Sequence, residues 1–210
     1  AQNALDFDGT DDKVDCGNDT SIQIKGKYIT LEAWIYPTAW KTNAYDGNVI
    51  CKEYNTSNYG YMLRVGAGGR LNFAIGDGKW SEITTGTILS LNTWQHIAGT
   101  YDGTKMRVYL NGVAMDSLSV STSIVQATSP NLLLGAHSTY ARFYQGIIDE
   151  VRIWDVWRST SDISKGMYGE ICQKTKGLKL YYKFSQGKAG GTNPAIKTAN
   201  DLSGYGNNGT

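Results

Sequence analysis

Two consecutive hairpin patterns in residues 92–112 constrain the fold of this chain more than any other feature. Residues 94–101 and 106–110 alternate side chains between two faces, which is the period of a strand with one covered face. Asp102 and Gly103 lie between them and predict a tight two-residue turn, because such a turn needs positive φ at its centre. Asn111 and Gly112 predict a second turn of the same kind. These residues therefore predict consecutive antiparallel strands.

Strand-like segments recur along the rest of the chain, and clusters of glycine and asparagine separate many of them. They cover residues 4–7, 13–16, 28–37, 48–52, 59–65, 70–75, 81–84, 114–120, 132–135, 146–154 and 177–184. One helix is predicted at 163–167, after the candidate N-cap residues 159–162. Many short strands with almost no helix predict an all-β fold, a two-sheet antiparallel jelly-roll sandwich with one short C-terminal helix.

Length and charge limit the classes of function. The chain has 210 residues, so residues 1–210 can form one β-domain, and its net charge of +1 gives no footprint for nucleic acid. No apolar run is long enough for a membrane span. The polar tail 185–210 is either a pinned terminal loop or the start of a linker. Its abrupt end suggests a module of a larger multidomain chain.

Cysteine usage leaves the redox state open. Cys16, Cys51 and Cys172 allow one disulfide with a free thiol, or three thiols. A structural zinc site is not expected, because the sequence contains no CxxC pair.

Several motifs resemble the laminin-G-like jelly rolls of the concanavalin A-like lectin/glucanase superfamily, and they occur in family order over nearly the whole chain. They are residues 4–14 (ALDFDGTDDKV), 30–35 (TLEAWI), 94–98 (WQHIA), 108–112 (VYLNG), 146–154 (GIIDEVRIW), 177–184 (GLKLYYKF) and 201–209 (DLSGYGNNG). The resemblance implies two antiparallel sheets, one of them concave, with loops at one rim. The superfamily includes sugar binders, adhesion modules and enzymes, so the fold does not give the function.

The motifs of the superfamily's enzymes are missing from this sequence. Its glycosidases carry an E-x-D-x-E-type strand, whereas Asp149 and Glu150 are adjacent and are expected to point to opposite faces. Its lyases use a Gln-x-His strand, whereas Gln95 and His96 are adjacent. We interpret His96 as a packed, hydrogen-bonded residue. The sequence favours a non-catalytic protein, although a site assembled from distant residues stays an alternative.

A calcium site is predicted at the first hairpin. The turn at residues 8–12 supplies carboxylates and backbone carbonyls, which are the ligands that Ca²⁺ prefers. The resemblance implies a structural calcium between this hairpin and the late strand. Its ligands would be Asp149 first, then Asp8, Gly9 and Asp12. The alternative is that the aspartates only stabilise the turn through side-chain bonds to the backbone.

Aromatic residues in loops are the candidates for sugar binding, because exposed rings stack on the C–H faces of sugars. The predicted ligand-binding residues are Trp40, Tyr45, Tyr54, Tyr59, Trp80, His137, Tyr140, Arg142 and Tyr144. Each ring can instead cap the edge of the sandwich. Trp34, Trp94, Trp154 and Tyr182 fall within regular strands and are interpreted as core or sheet-face groups.

The sequence favours a carbohydrate-binding, lectin-like module of a secreted or cell-surface protein, with a polysaccharide or other glycan as its partner. The first alternative is a protein-protein adhesion module of laminin-G type, with a protein ligand. The others are a glycan-active enzyme, an accessory domain, and a spacer beside a catalytic domain.

Overall fold

The computed structural model describes residues 3–188, 190 and 193–210. The strands are β1 Leu5–Asp8, β2 Val14–Asp15, β3 Ile29–Pro37, β4 Asn48–Tyr54, β5 Tyr59–Gly66, β6 Arg70–Asp77, β7 Trp80–Thr87, β8 Gln95–Tyr101, β9 Lys105–Leu110, β10 Val113–Ser119, β11 Leu133–Leu134, β12 Gln145–Trp154 and β13 Leu178–Tyr182. The α-helix is α1 Thr160–Gly166, and a 3-10 turn covers Thr20–Ile22.

The strands form two antiparallel sheets. The first sheet has the order β1-β12-β3-β8-β9-β10, with β13 also paired to β12, and the second has the order β2-β11-β4-β5-β6-β7. Every registered pair of strands is antiparallel. This confirms the predicted two-sheet sandwich with one short helix near the C-terminal end.

The core lies between the sheets, and strict alternation fills it. In β3 the side chains of Ile29, Leu31, Ala33 and Ile35 point inward, as the pattern predicts. Gly99 of β8 lets the sheets approach closely, because a Cβ there would lie 2.5 Å from the ring of Phe73.

The central hairpins form as predicted, with one shift in the first turn. The Asp102 N–H donates to the Lys105 carbonyl, so Gly103 and Thr104 occupy the turn centre instead of Asp102 and Gly103. The Asp102 carboxylate accepts from the backbone N–H groups of Thr104 and Lys105, which favours this position for the aspartate. The second turn has positive φ at both Asn111 and Gly112, as predicted.

Helix α1 begins three residues earlier than the predicted range because Ser159 caps it. The Ser159 hydroxyl accepts from the Asp162 N–H, and the Asp162 carboxylate accepts from the Ser159 N–H, which makes a capping box. Ile163 then packs with Ala98 and Tyr109. The helix therefore covers part of the outer face of the first sheet.

The last residues of the chain pack against the sandwich. The backbone of Thr210 exchanges two hydrogen bonds with Asp15 at 2.8 and 3.0 Å. Asp201 organises this segment, because its carboxylate accepts from the N–H groups of Tyr181, Ser203 and Asn207. Residues 199–210 thus extend the fold beyond β13.

All three cysteines are free thiols. Cys16 and Cys51 are buried and Cys172 is exposed, which decides between the two states that the sequence left open. Burial raises the pKa of the Cys16 and Cys51 thiols to about 12, so both stay protonated at neutral pH.

Candidate functional site

Two rows of side chains cross the outer face of the first sheet. Trp34 of β3 lies opposite Asp149 of β12 on one side and His96 of β8 on the other. In the next row, the ring of Tyr36 lies 5.7 Å from that of Trp94. Alternation places these groups on the outer face because their neighbours in sequence face the core. The outer face therefore presents two adjacent rows of aromatic rings.

The end of helix α1 and the segment after it turn this face into a groove. The Trp34 indole N–H donates to the Met167 carbonyl at 2.8 Å, and the ring of Tyr168 lies 5.4 Å from that of Trp34. The resulting open cavity measures ≈ 1030 Å³. We call it the aromatic groove and define it by six of its lining residues, Trp34, Trp94, Asp149, Glu150, Tyr168 and Lys183.

A β-bulge brings two carboxyl groups to this groove. The pairing of β12 with β3 shifts register between Asp149 and Arg152, and Glu150 has a φ of 51°. The prediction that Asp149 and Glu150 point to opposite faces is wrong, because the bulge lets both line the groove. The Glu150 carboxylate accepts hydrogen bonds from the Arg152 guanidinium at 2.7 Å and from the Tyr181 hydroxyl at 2.7 Å.

Asp149 has a different environment from Glu150. Its Oδ1 accepts from the Glu150 N–H at 2.8 Å, and its side chain is largely buried. Burial is the main cause that raises the pKa of Asp149 to about 7; the charge of Glu150 also raises it, and Lys183 and Arg152 oppose the rise. A carboxyl group with a raised pKa in a groove is typical of a functional site.

His96 belongs to a buried polar network beside the groove. Its Nε2 lies 3.5 Å from Glu32, which also accepts from the Trp154 indole N–H at 2.8 Å. All three residues are buried. This agrees with the interpretation of His96 as a packed structural residue.

Four of the predicted ligand-binding residues come together elsewhere, on the outer face of the second sheet. Arg142 lies over the rings of Tyr140 and Tyr45, with its Cζ 4.5 and 5.6 Å from their centres. Arg64 lies 4.9 Å from the centre of Tyr45, and the His137 ring lies 5.0 Å from that of Tyr140. We call these residues the tyrosine–arginine cluster. Its arginines already engage faces of the two rings, which leaves less ring surface for a sugar.

The other five predicted residues lie in the core, against the core or at the ends of strands. Tyr144 is buried and packs edge-on against Phe7, so its ring has no free face for a ligand. Trp40 packs against the core. Trp80 is the first residue of β7 rather than a loop residue, and Tyr54 and Tyr59 pair at the ends of β4 and β5. The structure therefore does not join these five residues into one surface with the aromatic groove.

A buried cluster has the residue types of a metal site, and its histidine is hydrogen-bonded within the protein. Ligand atoms of Cys51, Glu53 and His137 lie within 4.8 Å of one another. The His137 Nδ1 accepts from the N–H groups of Thr139 and Tyr140, which assigns the ring proton to Nε2, 2.9 Å from Glu53. The arrangement fits a hydrogen-bonded structural cluster.

The acidic turn of the calcium prediction forms, but without Asp149. Carboxylate oxygens of Asp8, Asp11 and Asp12 lie within 4.8 Å of one another. Asp8 lies opposite Gln145, four residues from Asp149, which is about 13 Å along a strand. Asp149 therefore belongs to the aromatic groove and not to this turn.

The Gly9 carbonyl of the same turn already has a cationic partner. The Lys41 ammonium donates to this carbonyl at 2.6 Å. The Asp8 and Asp12 carboxylates each accept one backbone N–H, as aspartates do in turns. The three carboxylates fit a calcium ion, whereas the Gly9 carbonyl would have to be released from Lys41.

Trp34 and Trp94 are the functional candidates that the search for loop aromatics missed. The sequence leaves both as core or sheet-face groups, and the structure places both on the sheet face. The informative signal is which residues of β3 face the core. Because Ile35 and its alternate neighbours face the core, Trp34 and Tyr36 face outward. Exposed aromatic groups that lie together on one face are typical of binding surfaces.

Residues 8–164 match a family model described as the concanavalin A-like lectin/glucanases superfamily. The chain belongs to this superfamily. The match covers more than half of the chain and agrees with the laminin-G-like motifs of the sequence. A search of curated proteins found no significant match.

Solved structures with a similar fold support the assignment of this laminin-G-like chain. A candidate carbohydrate-binding protein from Bacteroides ovatus ATCC 8483 aligns with a TM-score of 0.77 and 22% identity, over 100% of this chain and 57% of that chain. The laminin-G-like chain therefore spans little more than half the length of that protein.

Two further structures contain bound sugars. Domain 4 of AbnA, a GH43 extracellular arabinanase from Geobacillus stearothermophilus in complex with arabinotriose, aligns with a TM-score of 0.57 and 19% identity, over 77% of this chain and 75% of that chain. The CBM40 of a Ruminococcus gnavus IT-sialidase, bound to α2,3 sialyllactose, aligns with a TM-score of 0.60 and 11% identity, over 78% and 96%. At these identities the similarity shows the fold alone. Among the described residues, no helix is long and apolar enough to cross a membrane.

Proposed function

We propose that this laminin-G-like chain is a non-catalytic carbohydrate-binding module whose glycan lies in the aromatic groove. The observation that carries the proposal is the outward aromatic row that ends at Trp94, which is 42% exposed. Flat rings beside polar groups suit sugars, which combine apolar C–H faces with hydroxyl groups. The solved structures of a candidate carbohydrate-binding protein and of a CBM40 support the same class of ligand.

The polar groups of the groove provide hydrogen-bond partners beside the rings. Asp149, Glu150 and Lys183 line the same cavity as Trp34 and Tyr168. Ligand sites typically combine an apolar or aromatic lining with a few polar groups that fix orientation. The groove is open, which suits a length of polysaccharide better than an enclosed small molecule.

The module would act outside the cell or at the cell surface, as one part of a larger chain. The extracellular arabinanase whose fourth domain aligns with this chain supports that arrangement. So does the Bacteroides protein, of which this chain spans 57%. Expression of the full-length protein with a tag and cell-surface labelling would test the location.

A non-catalytic role is supported by the state of the groove carboxylates. Glu150 is held by Arg152 and Tyr181, and Asp149 and Glu150 are adjacent instead of having the E-x-D-x-E spacing of the superfamily's glycosidases. We expect no release of reducing ends from a panel of polysaccharides. Release that is lost in Glu150→Gln would instead establish a glycan-active enzyme.

Calcium at the turn of residues 8–12 stays a proposal. It would be held by Asp8, Asp11 and Asp12, with Lys41 as the competing cation. We expect calcium to raise the melting temperature, because a ligand that binds only the folded state stabilises it, and Asp12→Asn to reduce this shift. An unchanged melting temperature between calcium and chelator would mean that the aspartates only stabilise the turn.

Two tryptophans of equal exposure test the glycan site. Trp94, in the groove, and Trp157, outside its lining, are both 42% exposed. In isothermal titration with a panel of oligosaccharides, we expect Trp94→Ala to weaken binding about tenfold or more, as loss of a central contact does. Trp157→Ala should bind like the wild type. Equal effects of the two variants, or no binding by any glycan, would contradict the proposed site.

A further inference from the structure

We infer that the aromatic groove prefers glycans with free, protonated amino groups, such as hexosamines without N-acetyl groups. This inference rests on the proposed function and names the class of its ligand. It is drawn from the charges and hydrogen bonds around Asp149.

The other charged groups of the groove have partners of opposite charge within the protein. Lys183 forms an ion pair with Glu170, and Arg152 forms one with Glu150 at 2.7 Å. Two further donors of Arg152 are satisfied by the carbonyls of Gly166 and Gly169, both at 2.8 Å. Asp149 takes part in no ion pair among the described residues. When Asp149 is ionised, it therefore gives the groove a net negative charge.

The hydrogen bonding of Asp149 is also incomplete. Its Oδ1 accepts from the Glu150 N–H at 2.8 Å, and its Oδ2 accepts no hydrogen bond within the described part of the chain. The residue is only 6% exposed and lines the groove. This oxygen is not a fully buried atom, so a donor group of a ligand in the groove can reach it.

An ammonium group suits this position better than a hydroxyl or an acetamide. A hydroxyl or an amide N–H can also donate to a carboxylate, but only an ammonium group adds the attraction of a full positive charge. Trp34 lies on the neighbouring strand directly opposite Asp149. The ring of Tyr168 lies 5.4 Å from the ring of Trp34. Aromatic faces attract cations, so the same rings that stack on a sugar also favour its amino group.

The preference would be local and not a property of the whole molecule. The chain has a net charge of +1, so its overall charge does not attract polycations. A preference for an amino sugar would therefore have to come from the groove.

A matched pair of ligands and two aspartate variants test the inference. At pH 7 Asp149 is partly ionised, and a bound ammonium group favours its charged form. Isothermal titration at this pH would compare a glucosamine tetrasaccharide with its fully N-acetylated form, on wild type, Asp149→Asn and Asp6→Asn. We expect the wild type to bind the amino form about tenfold tighter, as a charge-assisted contact allows. Asp149→Asn should lose the preference, and the exposed Asp6→Asn should keep it. If Asp149→Asn does not fold, Asp149→Ser carries the same expectation.

Each remaining outcome is decisive. Equal or tighter binding of the N-acetylated form overturns the inference and leaves the proposed function in place. Retention of the preference in Asp149→Asn also overturns it. If neither form binds but another glycan loses affinity in Trp94→Ala, the inference fails and the proposed function stands. If no glycan binds at all, the proposed function fails as well.

Discussion

Asp149 is a buried acid whose environment disfavours its own charge. Its folded-state pKa is about 7, against an ordinary value of 3.8. The folded state therefore binds a proton more tightly than the unfolded state between pH 4 and pH 7. Stability from this group falls as pH rises through that window, and the destabilisation is complete above pH 7.

Replacing Asp149 by asparagine should remove this destabilisation. We expect Asp149→Asn to be more stable than the wild type at pH 8 by at most about 4 kcal/mol, the value that corresponds to the pKa difference. The gain should shrink toward pH 4. Urea unfolding at both pH values measures it, with Asp6→Asn as the exposed control. A stability difference for Asp149→Asn that is the same at both pH values would contradict the raised pKa.

The sequence singled out Asp149 as a candidate site residue, but the structure places it apart from the acidic turn. The resemblance implied a calcium ligand, whereas pairing of Asp8 with Gln145 separates Asp149 from the acidic turn. Alternation left Trp34 and Trp94 as core or sheet-face groups, and the inward position of Ile35 in the structure decides for the outer face in the case of Trp34. Alternation was not sufficient for Glu150, because a bulge adds a residue that no period of two reveals.

Helix α1 supports one wall of the groove, and its capping box supports the helix. The Ser159 hydroxyl and the Asp162 carboxylate satisfy each other's backbone N–H groups. We expect Ser159→Ala to lower the free energy of unfolding by about 1 kcal/mol, since an N-cap is lost. Ser161→Ala, in the exposed first turn, should change it by less than about 0.5 kcal/mol. Equal losses in thermal unfolding would show that the cap contributes little.

At the level of elements, local chemistry made most of the strands predictable. Glycine and asparagine turns with positive φ, such as Asn111 and Gly112, separate alternating strands. The first hairpin turn moved by one residue because the Asp102 carboxylate holds two backbone N–H groups. The tyrosine–arginine cluster joins residues that lie far apart in the sequence, on strand β5 and on two loops that connect the sheets. Such contacts depend on the three-dimensional arrangement, which spacing in the sequence does not contain.

The thiols report on the integrity of the whole molecule. Cys172 is exposed, whereas Cys16 and Cys51 are buried and their thiol pKa values are raised to about 12 by burial. We expect a thiol reagent to modify one cysteine rapidly in the folded protein and all three after unfolding, without any reductant. The buried thiols should react at the rate at which the fold opens. Fewer than three reactive thiols in denaturant would indicate a disulfide and contradict the free-thiol state.

The central claim is that a glycan binds in the aromatic groove of the first sheet, and the indole N–H spectrum tests it most directly. The protein has six tryptophans, so each indole signal reports on one location. Titration with the tightest-binding oligosaccharide should shift the signals of Trp34 and Trp94, because their rings line the groove. The signals of Trp40, Trp80 and Trp157 should stay in place. Shifts of Trp40 or Trp80 with unchanged Trp34 and Trp94 signals would contradict the account.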